Sequence, residues 1–394
     1  MEISSVNNGN QYTSYWGDFN LYKVLLVGLG ILGLSILREL AKFEDIMVYA
    51  GDIDVERCKE AVDLIINGTV LSGYKPHIEF IKVDLTDVDS TKKLIKNVSP
   101  DVICNATTLI SWWYPHILPD EFAVKVARCG VGPWTPCHLA LTYNLMRAVK
   151  ESGVDTRVVN TSYNDVVSPA LAKVGLAPYI GGGNLDLIVP IIKRYIAERE
   201  NASIKEVNVY LIAHHGFLTD PDKAPYILKV YIRGKEVSIG DKEFRDLIPR
   251  HYKIEKRWTG PPEQYPITCS FVKNLLAVLR DLDIFTHSPG ALGLPGGYPV
   301  RLNRSKVELA LPADVSKDEA IKVNEGGAKC DGIEEIKSNG SIVLTKEASE
   351  MLKDVFGLDY RVYKLENAYE DAMNLRKAYI DIMKKYGIKP PYVY

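Results

Sequence analysis

Glutamine is almost missing from this chain: Gln11 and Gln264 are the only two in 394 residues. Lys, Glu, Ile and Tyr are plentiful instead, and avoidance of a thermolabile amide is expected of a heat-adapted protein. Close cysteine pairs are missing too. Cys58, Cys104, Cys129, Cys137, Cys269 and Cys330 are scattered singly, which argues against a zinc ribbon or a secreted disulfide framework and fits reduced thiols of a cytoplasmic protein. There is no excess of charge of one sign. A formal net charge of −2 gives neither nucleic acid nor an anionic membrane a bulk reason to bind. Apolar runs such as Val24–Val27 are interrupted by Gly and charged residues well before the roughly 20 residues that a membrane span requires. Residues 1–20 are polar and aromatic, without a basic start followed by an apolar stretch. No secretory signal is read there, and the segment is expected to be a loose arm or a docking tail.

What is present is ordinary globular composition, 46% apolar and 25% charged, in a chain long enough for two cored domains. Residues 21–167 alternate short apolar runs with helical spacing. Strands are expected at Lys23–Val27, Ile46–Ala50, Ile78–Val83, Asp101–Asn105 and Arg157–Asn160. Helices are expected at Ile31–Phe43, Val55–Ile66, Ser90–Asn97 and His138–Glu151. This alternation predicts an α/β fold, a Rossmann-type doubly wound parallel sheet with ligands at the carboxyl ends of its strands. From Ser168 onward the character changes. Strands at Val207–Ala213 and Tyr226–Ile232, a hairpin turn at Arg233–Gly234, a helix at Ser270–Leu282, strands near Val300 and Val307–Leu311, and mostly helix over Lys346–Tyr386 predict an α+β substrate-binding and assembly domain, residues 168–394.

Gly28-Leu29-Gly30-Ile31-Leu32-Gly33 follows an apolar strand and opens a helix. The first glycine permits the tight turn, the second lets the backbone approach a pyrophosphate, and the third lets helix and strand pack closely. Free N–H groups at the helix start, about Ile31 and Leu32, suit phosphate. Asp52 lies 19 residues past Gly33 at the end of the next strand, where its carboxylate can accept both ribose hydroxyls. A 2′-phosphate would be repelled there, so NAD is expected over NADP, although Arg57 is near enough to blur that preference and Asp54 is an alternative acid. Asp84 and Asn105 end the next two strands, as cofactor contacts or as turn and capping residues.

The order of later motifs resembles the lactate and malate dehydrogenases. Asp52–Arg57, Leu145–Val149, Ser162-Tyr163-Asn164-Asp165, Ile180-Gly181-Gly182-Gly183-Asn184-Leu185-Asp186 and Val209–Gly216 with its His214-His215-Gly216 end each echo a family segment, across most of residues 22–325. The N-terminal half also resembles saccharopine dehydrogenase-type domains, through Asp84-Leu85-Thr86-Asp87 and Asp101–Ala106. The first resemblance implies an NAD-dependent oxidoreductase, a homodimer or homotetramer. It would transfer a hydride between nicotinamide and a secondary alcohol or oxo group of a small polar substrate. His215 would be the acid/base and Asp186 the carboxylate that orients it. His214 is the rival, on the opposite face if the strand alternates.

The departures are specific. Where the family holds a substrate carboxylate with an arginine, this chain has Val189, and where its active-site loop carries another, Thr135 is the nearest match. The loop itself, Leu109–Pro136, is rich in aromatics. Arg128, Lys193 and Arg194 are candidate replacements for the lost charge; Thr135, Asn184 and His214 are further substrate-side candidates. His287–Pro299 reads as a pocket wall or a rigid connection. Cys137 and His138 lie together without further ligands at metal spacing, so no metal is expected. Other readings of the same chain are an opine-type dehydrogenase acting on a C–N bond, an NAD-requiring family 4-type glycosidase and a non-catalytic NAD sensor.

Overall fold

A computed structural model describes residues 21–248 and 264–389; the expected N-terminal arm lies outside the described residues. Six strands form one parallel sheet: β1 (Tyr22–Val27), β2 (Ile46–Asp52), β3 (His77–Lys82), β4 (Val102–Asn105), β5 (Arg157–Asn160) and β6 (Ile180–Gly181), in the order β3-β2-β1-β4-β5-β6. The centre of the sheet is buried without alternation, as in Val24–Val27 and Val102–Asn105, because helices cover both faces of a parallel sheet. The order reverses between β1 and β4, and the crevice there is where such sheets bind ligands.

Three antiparallel sheets follow. The first holds β7 (Val207–Ile212), β8 (Ile227–Ile232) and β9 (Lys235–Val237). The second holds β10 (Ile284–Pro289), β11 (Gly297–Leu302) and β12 (Val307–Leu309). Ile232 pairs with Lys235 across Arg233 and Gly234, whose φ values of +50° and +78° make the two-residue hairpin expected there. The His287 segment is half strand. His287 pairs with Pro299 inside β10·β11, so the rigid connection is confined to the turn after Pro289. A bridge between Ala213 and Gly297 joins the two sheets beside His214.

The third sheet, β13 (Ile333–Ile336), β14 (Ile342–Leu344) and β15 (Val362–Tyr363), lies in a stretch whose sequence shows no strand pattern long enough to notice. With the helices Lys346–Phe356 and Ala368–Lys385 it forms a C-terminal unit. One face of these helices is core: Leu375, Tyr379 and Met383 share one cluster with Leu25, Val27 and Ile103 of the parallel sheet. Tyr363 donates to the Pro133 carbonyl at 2.8 Å and Tyr379 to that of Tyr114 at 3.1 Å, which fastens this unit to the aromatic loop. The loop is itself structured, with a helix at Asp120–Arg128, and Trp134 packs edge-on against Phe356 and Tyr379. The boundary expected at residue 168 falls inside the helix Asn164–Ala172.

The glycine turn is sterically specified. Gly28 has φ +94°, and a Cβ on it would lie 2.7 Å from the Ala106 carbonyl carbon; one on Gly33 would lie 1.8 Å from the Gly28 oxygen. Gly33→Ala is therefore expected to destabilise the fold by roughly 2 kcal/mol through overpacking. Gly30→Ala, whose added methyl meets nothing within 4 Å, should shift a thermal melt far less. Equal melts for the two variants would contradict the packing argument.

Candidate active site

At the carboxyl end of β1 the chain turns at Gly28 into the helix Ile31–Leu40, whose first residue follows Gly30 without a side-chain cap. The free N–H groups and the open space over Gly30 leave room for a phosphate against the helix start. Asp52 accepts from Leu29 N at 2.6 Å and from Asp54 N at 3.0 Å, so the acid braces the glycine turn while each oxygen keeps a lone pair. Arg57 donates to the Leu29 carbonyl at 3.0 Å and lies 3.7 Å from Asp52. Asp54 caps the helix Val55–Leu71, a structural task.

Asn105 and Asp84 both make hydrogen bonds within the turns at their strand ends. Asn105 is buried; it donates to Thr142 and Asn160, and its oxygen accepts from the Thr107 amide and hydroxyl. Its hydrogen-bonding capacity is spent holding the strand-end loops together. Asp84 accepts from the Thr86 amide and hydroxyl at 2.9 and 2.6 Å.

Beside the switch point lies a cavity of about 150 Å³ whose wall includes Leu32, Trp112, His116, His138, Tyr163, Asn184, His215 and Phe271. His215 reaches it from the end of β7. Its backbone N–H donates to Asp165 at 2.9 Å, and the same carboxylate accepts from the Asn184 amide, so two segments of the cavity wall are tied together.

The structure does not bring Asp186 to His215. His215 Nδ1 instead donates to Asp331 Oδ2 at 2.9 Å. Asp331 sits just past the helix Lys317–Cys330, is 0% exposed, and also accepts from Tyr163 OH at 2.5 Å, Thr219 Oγ1 at 2.8 Å and Val131 N at 3.0 Å. Burial works against both charges. For Asp331 it is outweighed by the His215 charge and hydrogen bond, with help from His214 and Tyr163, and its pKa is driven well below the carboxylate range. For His215 burial is outweighed by Asp331, seconded by Asp165, and its pKa is raised above 6.5. Glycines make the fit possible: a Cβ on Gly130 would lie 2.0 Å from Asp331 Oδ1, and one on Gly132 would lie 2.2 Å from the Asp331 carbonyl oxygen. Tyr163 holds φ +42°, an uncommon conformation for a bulky side chain.

Asp186 faces the other way from the short turn Asn184–Leu187. It accepts from Ser270 at 2.5 Å and Lys273 Nζ at 2.7 Å, in a second cavity of about 330 Å³ that also holds Val189, Lys193 and His287. The position where an arginine was missed thus does not face His215's cavity. His214 is buried with Nδ1 accepting from Gly216 N at 3.0 Å, and it does not line the cavity. Thr135 is buried and donates to Gly132 O at 2.6 Å, and Arg128 is exposed; neither lines the cavity. Of the three glycines, Gly181 and Gly182 pack against Asn164 and Phe271, and Gly183 borders the cavity. Sequence reasoning missed Asp331, Tyr163 and His116. Asp331 lies 116 residues from His215, and no local pattern marks it.

No protein-family model matches the chain, and no curated protein matches it by sequence. Solved structures do match. The lactate dehydrogenase MGS-M5 from a Medee basin deep-sea metagenome library is 15% identical with a TM-score of 0.54, over 79% of this chain and 96% of that one. Malate dehydrogenase from Picrophilus torridus is 17% identical with a TM-score of 0.54, over 79% and 97%. Lactate dehydrogenase from Cryptosporidium parvum, complexed with lactic acid and nicotinamide adenine dinucleotide, is 18% identical with a TM-score of 0.54, over 79% and 96%. The chain has a divergent lactate/malate dehydrogenase-like fold, a Rossmann-type sheet followed by smaller sheets. These neighbours are matched over nearly their whole length, while part of this chain stays outside the match.

Asp331→Asn is expected to cost roughly 3 kcal/mol, because it leaves a buried partner charge uncompensated. The pH dependence has a definite sign. The raised His215 pKa contributes stability that is complete below the ordinary value of 6.5 and lost as pH rises through the folded pKa. The lowered Asp331 pKa contributes stability present above the ordinary value of 3.8 and lost as pH falls through the folded pKa. Denaturant unfolding across pH should show both limbs in the parent and neither in Asp331→Asn; identical curves would refute the pairing.

Proposed function

We propose that this chain is an NAD-dependent oxidoreductase that interconverts a secondary alcohol and its oxo form in a small substrate, with His215 as the acid/base and Asp331, not Asp186, as the residue that positions it. One observation carries this reading: a histidine hydrogen-bonded to a buried carboxylate forms part of the wall of the cavity beside the glycine turn. The turn fits a dinucleotide through the open space over Gly30, the uncapped helix start, and the Asp52 carboxylate with lone pairs left for ribose hydroxyls. Bound nicotinamide supplies hydride transfer at its ring.

The residues supply the rest. With Nδ1–H donated to Asp331, the Nε2 atom of His215 is the one that exchanges a proton with a substrate oxygen. Asp331 fixes the tautomer and favours imidazolium, while Tyr163 and Thr219 hold Asp331 still. Imidazolium donates when the carbonyl is reduced; neutral imidazole accepts when the alcohol is oxidised. The raised pKa therefore makes kcat/KM for oxidation rise, and for reduction fall, across a pKa above 6.5. Asp52 favours NAD, since a 2′-phosphate beside it would meet like charge.

His215→Gln is expected to lower kcat in both directions by at least ~100-fold while cofactor affinity, read by nicotinamide fluorescence, holds. Asp331→Asn should move both pH profiles to lower pH, and Asp186→Asn should leave them in place. Turnover unaffected by His215→Gln would refute the assignment. Separately, Asp52→Ser is expected to raise the NADP/NAD ratio of kcat/KM by about 10-fold or more, because the like charge beside a 2′-phosphate is removed; an unchanged ratio would remove Asp52 from the ribose site.

A further inference from the structure

Among the described residues, the wall of the His215 cavity carries no Lys, Arg, Asp or Glu side chain. Its polarity comes largely from three imidazoles, His116, His138 and His215. When His215 is protonated its charge is balanced by Asp331 directly behind it, so the wall formed by the described residues carries no net charge. Among the described residues a substrate carboxylate would find no lysine or arginine in this wall to offset its desolvation.

His138 defines what the cavity can recognise. It is 5% exposed, on the helix Thr135–Ser152, with Nδ1 3.3 Å from Thr108 Oγ1. That hydroxyl has one proton, and it is directed at the Ile110 carbonyl at 2.7 Å, with the Cys137 carbonyl at 3.1 Å. Thr108 must therefore accept from His138, which places the imidazole proton on Nδ1 and leaves Nε2 as a bare lone pair. No group among the described residues bonds Nε2. Burial, reinforced by the charge of His215, lowers the pKa of His138 to about 4, so this lone pair persists at neutral pH. The Tyr163 ring lies 6.0 Å from His138 and 5.8 Å from His215, centre to centre, and both imidazoles border the same small space. His215 brings a proton-exchanging Nε2, and His138 a buried, unpartnered acceptor.

Resting on the dehydrogenase reading above, we propose that the substrate is an uncharged vicinal diol and its α-hydroxy ketone, with the reacting oxygen on His215 and the neighbouring hydroxyl donating to Nε2 of His138. On oxidation the carbinol carbon loses a hydride to the oxidised nicotinamide dinucleotide and its hydroxyl loses a proton to His215. The C–O bond becomes C=O, and the neighbouring hydroxyl is unchanged. A volume of about 150 Å³ suits a body of a few carbon atoms. A monoalcohol would leave Nε2 unpaired, and a 2-hydroxy acid would set a carboxylate against a lone pair.

The experiment compares kcat/KM for butane-2,3-diol, butan-2-ol, lactate and malate with NAD, and equilibrium binding of 3-hydroxybutan-2-one against pyruvate to the NADH-loaded protein by nicotinamide fluorescence. The diol is expected to exceed both butan-2-ol and the hydroxy acids by roughly 100-fold or more, as a site built to bond a hydroxyl rejects analogues lacking it. His138→Leu should cut the preference for diol over butan-2-ol at least 10-fold. His138→Gln, which can present an amide oxygen, should retain part of it. Hydroxy acids turned over or bound better than the neutral compounds would overturn the inference and leave the His215 dehydrogenase intact. A diol preference indifferent to both His138 variants, with folding verified by circular dichroism, would also overturn it. No His215-dependent turnover on any of the four compounds, with no binding of either ketone, would overturn the dehydrogenase reading and this inference with it.

Discussion

Asp331 is a carboxylate sealed from solvent, and four donors converge on it: the Val131 amide, the Tyr163 and Thr219 hydroxyls and the His215 ring. An ionised carboxyl in such a place costs several kcal/mol unless donors and an opposite charge offset it. All four must be in place together. The aromatic loop, the turn after β5 and the end of β7 are consequently held in one mutual arrangement, and that arrangement is the wall of the cavity. The C-terminal sheet and helices secure the segment bearing Asp331, and share a core with the parallel sheet. Asp331, held by this unit and beyond the segments that echo the dehydrogenases in sequence, thus raises the pKa of His215 and orients its ring.

The turn Asn184–Leu187 divides two environments. Asn184 and Leu187 face the cavity of His215, while Asp186 faces Lys273 and Ser270 across the second one. A carboxylate already paired with a lysine is poorly placed to orient a distant imidazole, and here it has no need to. The orienting acid comes from elsewhere in the chain. With Val189 also on the second cavity, neither the aspartate nor the arginine position of the resembled family is directed at the candidate substrate, and among the described residues neither puts a charge into the wall near His215.

At the cofactor end the acid and the glycines act as one unit. Asp52 accepts from the amide of Leu29 within the turn, so the carboxylate proposed to face ribose and the backbone proposed to face phosphate hold each other in place. Arg57 lies over both, through the Leu29 carbonyl and its proximity to Asp52. Such bracing preorganises the crevice before any ligand enters.

The parallel sheet, its helices, the glycine turn and Asp52 were all legible in the chain, because each depends on interactions between residues close in sequence: apolar runs, helical spacing, and glycines where no Cβ fits. The Arg233–Gly234 hairpin was legible for the same reason. His215 was legible as the end of an apolar strand before a glycine. Its partner was not. Asp331 carries no local signature, Gly130 and Gly132 look like any loop glycines until Asp331 is set against them, and the strands beside it are too short to show a period. Which carboxylate meets His215, which face of the 184–187 turn sees the substrate, and which nitrogen of His138 is left bare are settled by contacts between segments a hundred or more residues apart, or by hydrogen-bond competition around Thr108. The sequence by itself determined the frame and the glycine-turn crevice; only tertiary packing decided the acid behind the histidine and the polarity of the cavity, because burial and partner geometry, which set both, exist only once distant segments meet.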